Sequence, residues 1–280
     1  MSPAPRRRLL ARTVILDRAL EALPLFRLSD SGEEVAITFA AEGGGRWRVL
    51  PAPGERLPGT FDQDVYVELM RRYHEANAPA DGTLSFTLHD FLRTMGRRVD
   101  GRTYEQLRSA LNRLQRTTLE STEAWFDAAT GTRWTGQFTI LTTVSIDRRR
   151  LTDRDQLALF SSLTNNEPGD AHVTLAPQLR ANIAAAFTIA LGSARYTQLS
   201  SPVARRLYRV LQVARCDGGR TWELPLERLA EQLPLAQRYP SHLQRVLQPA
   251  HEMLIAAGIL RGATVAQHDK TWIVTYQLTD

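Results

Sequence analysis

The chain has 280 residues, 43% of them hydrophobic and 23% charged, with a formal net charge of +5 and a pI near 9.8. That length suffices for two ordinary cores, and no stretch approaches the roughly 20 apolar residues that a membrane span needs. The single cysteine, Cys216 in a "CDGG" turn, excludes an intrachain disulfide and a cysteine-built metal cage, and reads as an incidental thiol in a reducing cytoplasm.

Lys270 is the one lysine among 35 Lys and Arg residues. GC-rich coding produces such a bias without any function. Arginine is also the better side chain for phosphate and guanine, because its planar fork binds both bidentately. A basic chain of this kind places nucleic acid first among partner classes and a membrane surface far behind.

Residues 1–59 read as a basic arm (Arg6, Arg7, Arg8 and Arg12), a strand at "EEVAITFA" and a Gly/Pro-rich loop, "GGGRWRVLPAPGERLPG", whose Gly and Pro density rules out regular structure. The apolar patches of the arm are broken by Arg12, Asp17 and Arg18, so no secretory leader is predicted. From residue 61, "FDQDVYVELMRRYHEAN" is an amphipathic helix with Val65, Leu69, Met70 and Tyr73 inward. "TLSFTLHDFLRTMG" gives a short strand and a short helix, "RRVDG" a turn, and "RTYEQLRSALNRLQRTTLES" a second long helix. Two strands joined at "ATG" follow, in "TEAWFDAATGTRWTGQFTILTTVSI". Helix, strand, helix, turn, helix, hairpin is the order of a winged helix, in which the last helix reads DNA.

Between residues 151 and 198 lie a "TDRD" helix start, where Asp153 and Asp155 read as caps, an "NNEPGD" loop, a strand at "AHVTLAP" and a helix over "QLRANIAAAFTIALG". Then the order repeats. "SSPVARRLYRVLQVAR" opens with Ser201 as N-cap and Pro202 in the first turn. "TWELPLERLAEQLPL" supplies an extended piece and a short helix, and "SHLQRVLQPAHEMLIAAGIL" a long helix with Ser241 as N-cap. Pro249 in its middle predicts a bend or a split. A hairpin turning at His268–Lys270 closes the chain. The predicted class is therefore α+β, with two tandem winged-helix domains over 60–152 and 153–280.

In the first long helix, Tyr104, Leu107, Leu111 and Leu114 share one face at about 100° per residue. Arg102, Glu105, Ser109, Arg113 and Arg116 collect opposite, with Gln106, Arg108 and Asn112 on the flanks. Arg suits guanine, and Asn or Gln suits adenine; an ordinary solvated face is the plainer alternative. In the second, Gln244, Arg245, Gln248 and Glu252 face outward with His242 beside the cap, a face with a single arginine. Arg205, Arg206 and Arg209, on the helix opening the second copy, have no acidic partner along that helix. They are expected to touch phosphates without reading sequence, and Arg148, Arg149 and Arg150 after the first hairpin could do the same.

Catalytic signatures fail. No phosphate loop or GxGxxG occurs. The histidines at 74, 89, 172, 242, 251 and 268 form no HxH or HExxH pair, so neither a zinc hydrolase nor a histidine-metal nickase is supported. No cofactor, metal or enzymatic activity is expected.

The stretches "YTQLSSPVARRLYRVL", "FTLHDFLRTMG", "YEQLRSALNRLQRTTL" and "LQPAHEMLIAAGIL" resemble the replication initiator protein A family of bacterial plasmids and secondary replicons, from about residue 60 onward. The resemblance implies a non-enzymatic initiator with two winged helices that binds repeated duplex sites at an origin. It also implies host replication proteins as partners, a homodimer among the assemblies, no membrane, and a cytoplasmic, nucleoid-associated protein. It places reading positions on Arg102, Ser109, Asn112 and Arg113, and on Gln244, Arg245 and Gln248. The competing readings are a winged-helix transcriptional regulator and a single-strand or repair protein. The last would use Trp125, Phe126 and Trp134 as stacking platforms.

Overall fold

The computed structural model describes residues 13–28, 36–146, 170–237 and 239–279. Strand β1 (Thr13–Asp17) runs into a single turn, α1 (Arg18–Glu21), capped by the Asp17 carboxylate on the Ala19 N–H. Next come β2 (Ile37–Ala40) and β3 (Arg46–Leu50), an antiparallel pair. The Gly/Pro-rich stretch expected to lack regular structure thus contains a strand. Its Trp47 is fully buried and donates its indole N–H to the Pro24 carbonyl at 2.7 Å. Burying one large aromatic outweighs the flanking breakers.

Helix α2 (Thr60–Glu75), strand β4 (Thr83–Thr87), helix α3 (Leu88–Thr94) and helix α4 (Gly101–Arg116) follow the expected order. Thr87 caps α3 through the Asp90 N–H, and Gly96 ends it at φ +66°, a left-handed conformation suited to glycine. The stripe Tyr104, Leu107, Leu111, Leu114 of α4 is buried as its spacing requires. Each buried leucine contributes roughly 1.5–3 kcal/mol.

The hairpin β5 (Thr118–Asp127) and β6 (Thr132–Phe138) is not the wing. It extends β2 and β3 into a four-stranded sheet of order β2-β3-β5-β6. The wing is β7 (Leu141–Ile146) with β8 (Asp170–Leu175), and β8 lies at the centre of the order β4-β8-β7. Leu84 faces Val173 on one side, and Val144 faces Val173 on the other. The domain boundary expected at residue 152 is corrected accordingly, since it would strip the first winged helix of its middle strand.

The helix expected over 178–192 is half strand. Helix α5 (Pro177–Ala184) stops before Ala186, which sits at φ +59°. Strand β9 (Thr188–Gly192) then pairs antiparallel with β1. Helix α6 (Ser193–Gln198) leads to α7 (Pro202–Cys216), which starts as expected, with Ser201 accepting from the Ala204 N–H. Strand β10 (Thr221–Pro225), helices α8 (Leu226–Gln232) and α9 (Pro240–Ala256), and strands β11 (Leu260–His268) and β12 (Thr271–Leu278) complete the second winged helix. Helix α9 begins after Tyr239 with Pro240 in its first turn, rather than at Ser241, and it runs unbroken through Pro249. Its sheet order, β10-β12-β11, matches β4-β8-β7: in both copies the last strand is central. Two winged helices in tandem, in an α+β chain, are what the structure contains.

Candidate nucleic-acid interface

Each copy turns one long helix outward. Helix α4 is entered through a reciprocal cap: the Asp100 carboxylate accepts from the Thr103 N–H at 2.9 Å, and the Thr103 hydroxyl accepts from the Asp100 N–H at 3.1 Å. Arg102, Glu105, Gln106, Asn112 and Arg116 are exposed along it, whereas Arg108, Ser109 and Arg113 are half-buried. Three of the arginines hold acidic partners. Arg113 clasps Asp62 of α2, its Nε and Nη2 at 3.1 and 2.9 Å from Oδ1. Asp62 is buried, and burial pushes its carboxyl above the ordinary 3.8 against the pull of Arg113. Arg116 pairs with Glu55, and Arg108 lies 3.5 Å from Glu105. Arg102 is exposed and has no acidic partner among the described residues.

On α9, His242, Arg245 and Gln248 are exposed and Gln244 is half-buried. Gln248 donates to Glu252 at 2.8 Å. The inward residues Leu243, Leu247, Ala250 and Leu254 are buried, together with His251, whose Nε2 lies 2.9 Å from the Tyr276 hydroxyl of β12. That contact joins the helix to the wing sheet; burial holds the imidazole down at about 4.

The expectation for α7 is corrected. Arg206 and Arg209 are each 1% exposed, and no phosphate can reach them. Arg206 donates to the Glu21 carboxylate at 3.0 Å and to the Leu23 carbonyl at 2.7 Å. Arg209 donates to Glu21 at 3.1 Å and to the Gln63 side chain at 2.7 Å. Arg205 donates to the Leu199 carbonyl at 2.6 Å and pairs with Asp64, which also takes Arg97 at 2.6 Å and the Tyr196 hydroxyl at 3.2 Å. The counter-charges missing from α7 come from α1 and α2 instead. Beside this cluster, Asp17 accepts from Asn182 at 3.0 Å and Trp125 at 3.3 Å, and burial pushes its carboxyl up to about 7.

Arg148, Arg149 and Arg150, the arm arginines, Asp153 and Asp155 lie outside the described residues. Two further exposed side chains flank these helices. Tyr239, immediately before α9, is 70% exposed with its ring edge-on to His242 at 5.7 Å. Arg98, in the turn before α4, is 88% exposed. The "YP" and "RR" steps in predicted turns were the available signals. The three aromatics pack within the protein: Trp125 is buried, half-buried Phe126 lies against Phe187 at 5.0 Å, and Trp134 packs edge-on against Trp125 at 5.9 Å. Among the described residues, no group of acidic, His and Cys side chains could hold a metal ion, and no helix is long and apolar enough to cross a membrane.

The family model described as Replication initiator protein A matches residues 16–253. The chain belongs to that family. A protein of Wigglesworthia glossinidia brevipalpis, named for replication, is 28% identical over 102 residues, 35% of this chain and 36% of the relative. The chain thus aligns with about a third of that relative's length. Among solved structures, domains 2 and 3 of RctB superpose with a TM-score of 0.61 at 11% identity, covering 94% of this chain and 99% of the other. A second structure of RctB domains 2–3 gives 0.51 at 10% identity, covering 94% and 97%. At such identities the likeness is one of fold. The family match opens in β1 and closes within α9, so it includes α4, most of α9 and the segment bearing Glu21.

Proposed function

We propose that the chain binds repeated duplex sites at a replication origin through α4 and α9, as a binding protein that performs no chemistry on DNA. The observation that carries this reading is the doubled winged helix with one polar, outward helix per copy, in a chain of the replication initiator protein A family. Arg102, Gln106, Ser109, Asn112, Arg116 and Arg98 form the first contact surface, and His242, Gln244, Arg245, Gln248 and Tyr239 the second. Burial of Trp125 and packing of Trp134 favour duplex over single strand, because stacking on bases needs open aromatic faces. Self-association, recruitment of host replication proteins and residence at the nucleoid belong to the same proposal.

Fluorescence anisotropy against origin repeats, scrambled duplex and single strand, across a salt series, tests it. Tight repeat-selective duplex binding is expected, with a log–log salt slope of about −0.9 per neutralised phosphate. Equal or stronger binding to single strands would replace the initiator reading with the repair reading. Sedimentation velocity with and without origin duplex reads the self-association.

A further inference from the structure

Two outward helices select a tandem site only if the distance between them is held. The junction between them includes a buried polar cluster. Glu21, on α1, is 1% exposed and receives both buried arginines of α7, Arg206 on Oε2 at 3.0 Å and Arg209 on Oε1 at 3.1 Å. Arg209 also reaches Gln63 on α2, the opening helix of the first winged helix, and Gln63 in turn donates to the Pro202 carbonyl at 3.3 Å. One carboxylate therefore ties the segment before the first winged helix to the first helix of the second, with α2 in the same cluster.

The cluster is poorly suited to stability alone. Among the described residues, Arg206 Nε and Arg209 Nε are buried without a hydrogen-bond partner. Ionised groups in such a place cost desolvation free energy that well-packed apolar side chains would not incur. A buried ion cluster can supply register instead, because desolvated charges must keep their partners within hydrogen-bond reach.

We propose that Glu21 is a positioning residue: by holding Arg206 and Arg209 it fixes the separation of α4 and α9, and with it the spacing between half-sites that the protein accepts. This rests on the reading of both helices as DNA-contacting.

The test is a series of origin duplexes in which the spacer between half-sites changes by about 1, 2 and 5 base pairs, the last a half turn of the duplex. The full chain is compared with E21Q and with E21L/R206M/R209M, which exchanges the ion cluster for apolar side chains of similar length. The wild type should lose at least roughly tenfold in affinity at the half-turn change, as for a site with one half mismatched. Both variants should bind an isolated half-site as the wild type does, yet vary by less than about threefold across spacers. A merely structural role would instead lower affinity for every spacer alike and leave the profile's shape intact. If E21Q does not fold, the triple variant decides. A wild-type spacing profile in a folded variant overturns the inference while leaving the proposed function standing. A wild type that binds duplex repeats regardless of spacer also overturns it, and one that binds no duplex removes the proposed function itself.

Discussion

On α4, Arg102 and Arg113 look alike by residue type and are set apart by their surroundings. Arg102 is exposed, so Arg102→Ala should weaken repeat binding by roughly 1–3 kcal/mol if it reads a base, with the thermal melt unchanged. Arg113 holds the buried Asp62, so Arg113→Ala leaves a carboxylate inside the protein without its cation. The fold should lose roughly 2–4 kcal/mol, somewhat less than a fully buried pair because Arg113 keeps part of its surface in water. Melts and anisotropy on both variants separate the two roles; equal melts would refute the structural one. His251 supplies a pH dependence. The unfolded imidazole takes its proton near 6.5, but the folded one does so only near 4, because burial disfavours the charge. Its contribution is complete above pH 6.5 and is lost as pH falls to 4, about 3 kcal/mol in all. Asp17 acts the other way: its folded carboxyl titrates near 7 against 3.8, so its penalty is full above pH 7 and relieved on acidification. Subtracting the pH–stability profile of His251→Phe from that of the wild type cancels Asp17 and should leave the acid-side loss alone. A flat difference between pH 6.5 and 4 would refute the assignment.

Among the elements, Pro249 is the sharpest departure from local rules. It sits in the interior of α9 on the exposed side, removes one helical hydrogen bond, and yet leaves the helix continuous. Pro249→Ala restores that bond at no packing cost and should raise stability by up to about 3 kcal/mol, read as a higher melting temperature. An unchanged or lower value would mean that the helix depends on the proline ring. The long helices were legible because their apolar period is local: Leu107, Leu111 and Leu114 are buried as their spacing required, and Ser201–Pro202 opened α7 where capping chemistry placed it. The strands were less legible, because their partners are chosen at a distance. The aromatic-rich β5–β6 hairpin looked like a wing, but β3 paired with it first, and β3 itself was hidden by the glycines and prolines on either side. The buried arginines were illegible for the same reason. The partner of Arg206 stands 185 residues upstream, beyond the reach of any helical pattern.

At the scale of the molecule, the chain does not divide where its pattern repeats. Strand β8 comes after residues 147–169, in what reads as the start of the second copy, but it completes the first. It pairs with β4 from Thr83↔Thr174 to Thr87↔Asp170 and with β7 from Leu141↔Leu175 to Ile146↔Ala171. Val173 and Leu175 are fully buried, so removing β8 takes away both the ladder on either side and two core side chains. A fragment of residues 60–152 should therefore show no cooperative thermal transition and collapsed amide dispersion. The complementary fragment, 199–280, carries every element of the second winged helix. Its α7 loses Glu21, but Arg206 and Arg209 then face water, where a guanidinium needs no counter-charge. That fragment should melt cooperatively, with calorimetry reading one transition. A cooperative 60–152 would show that β4 and β7 need no shared partner. Failure of 199–280 would show that the polar junction supports the second domain's fold as well as its position.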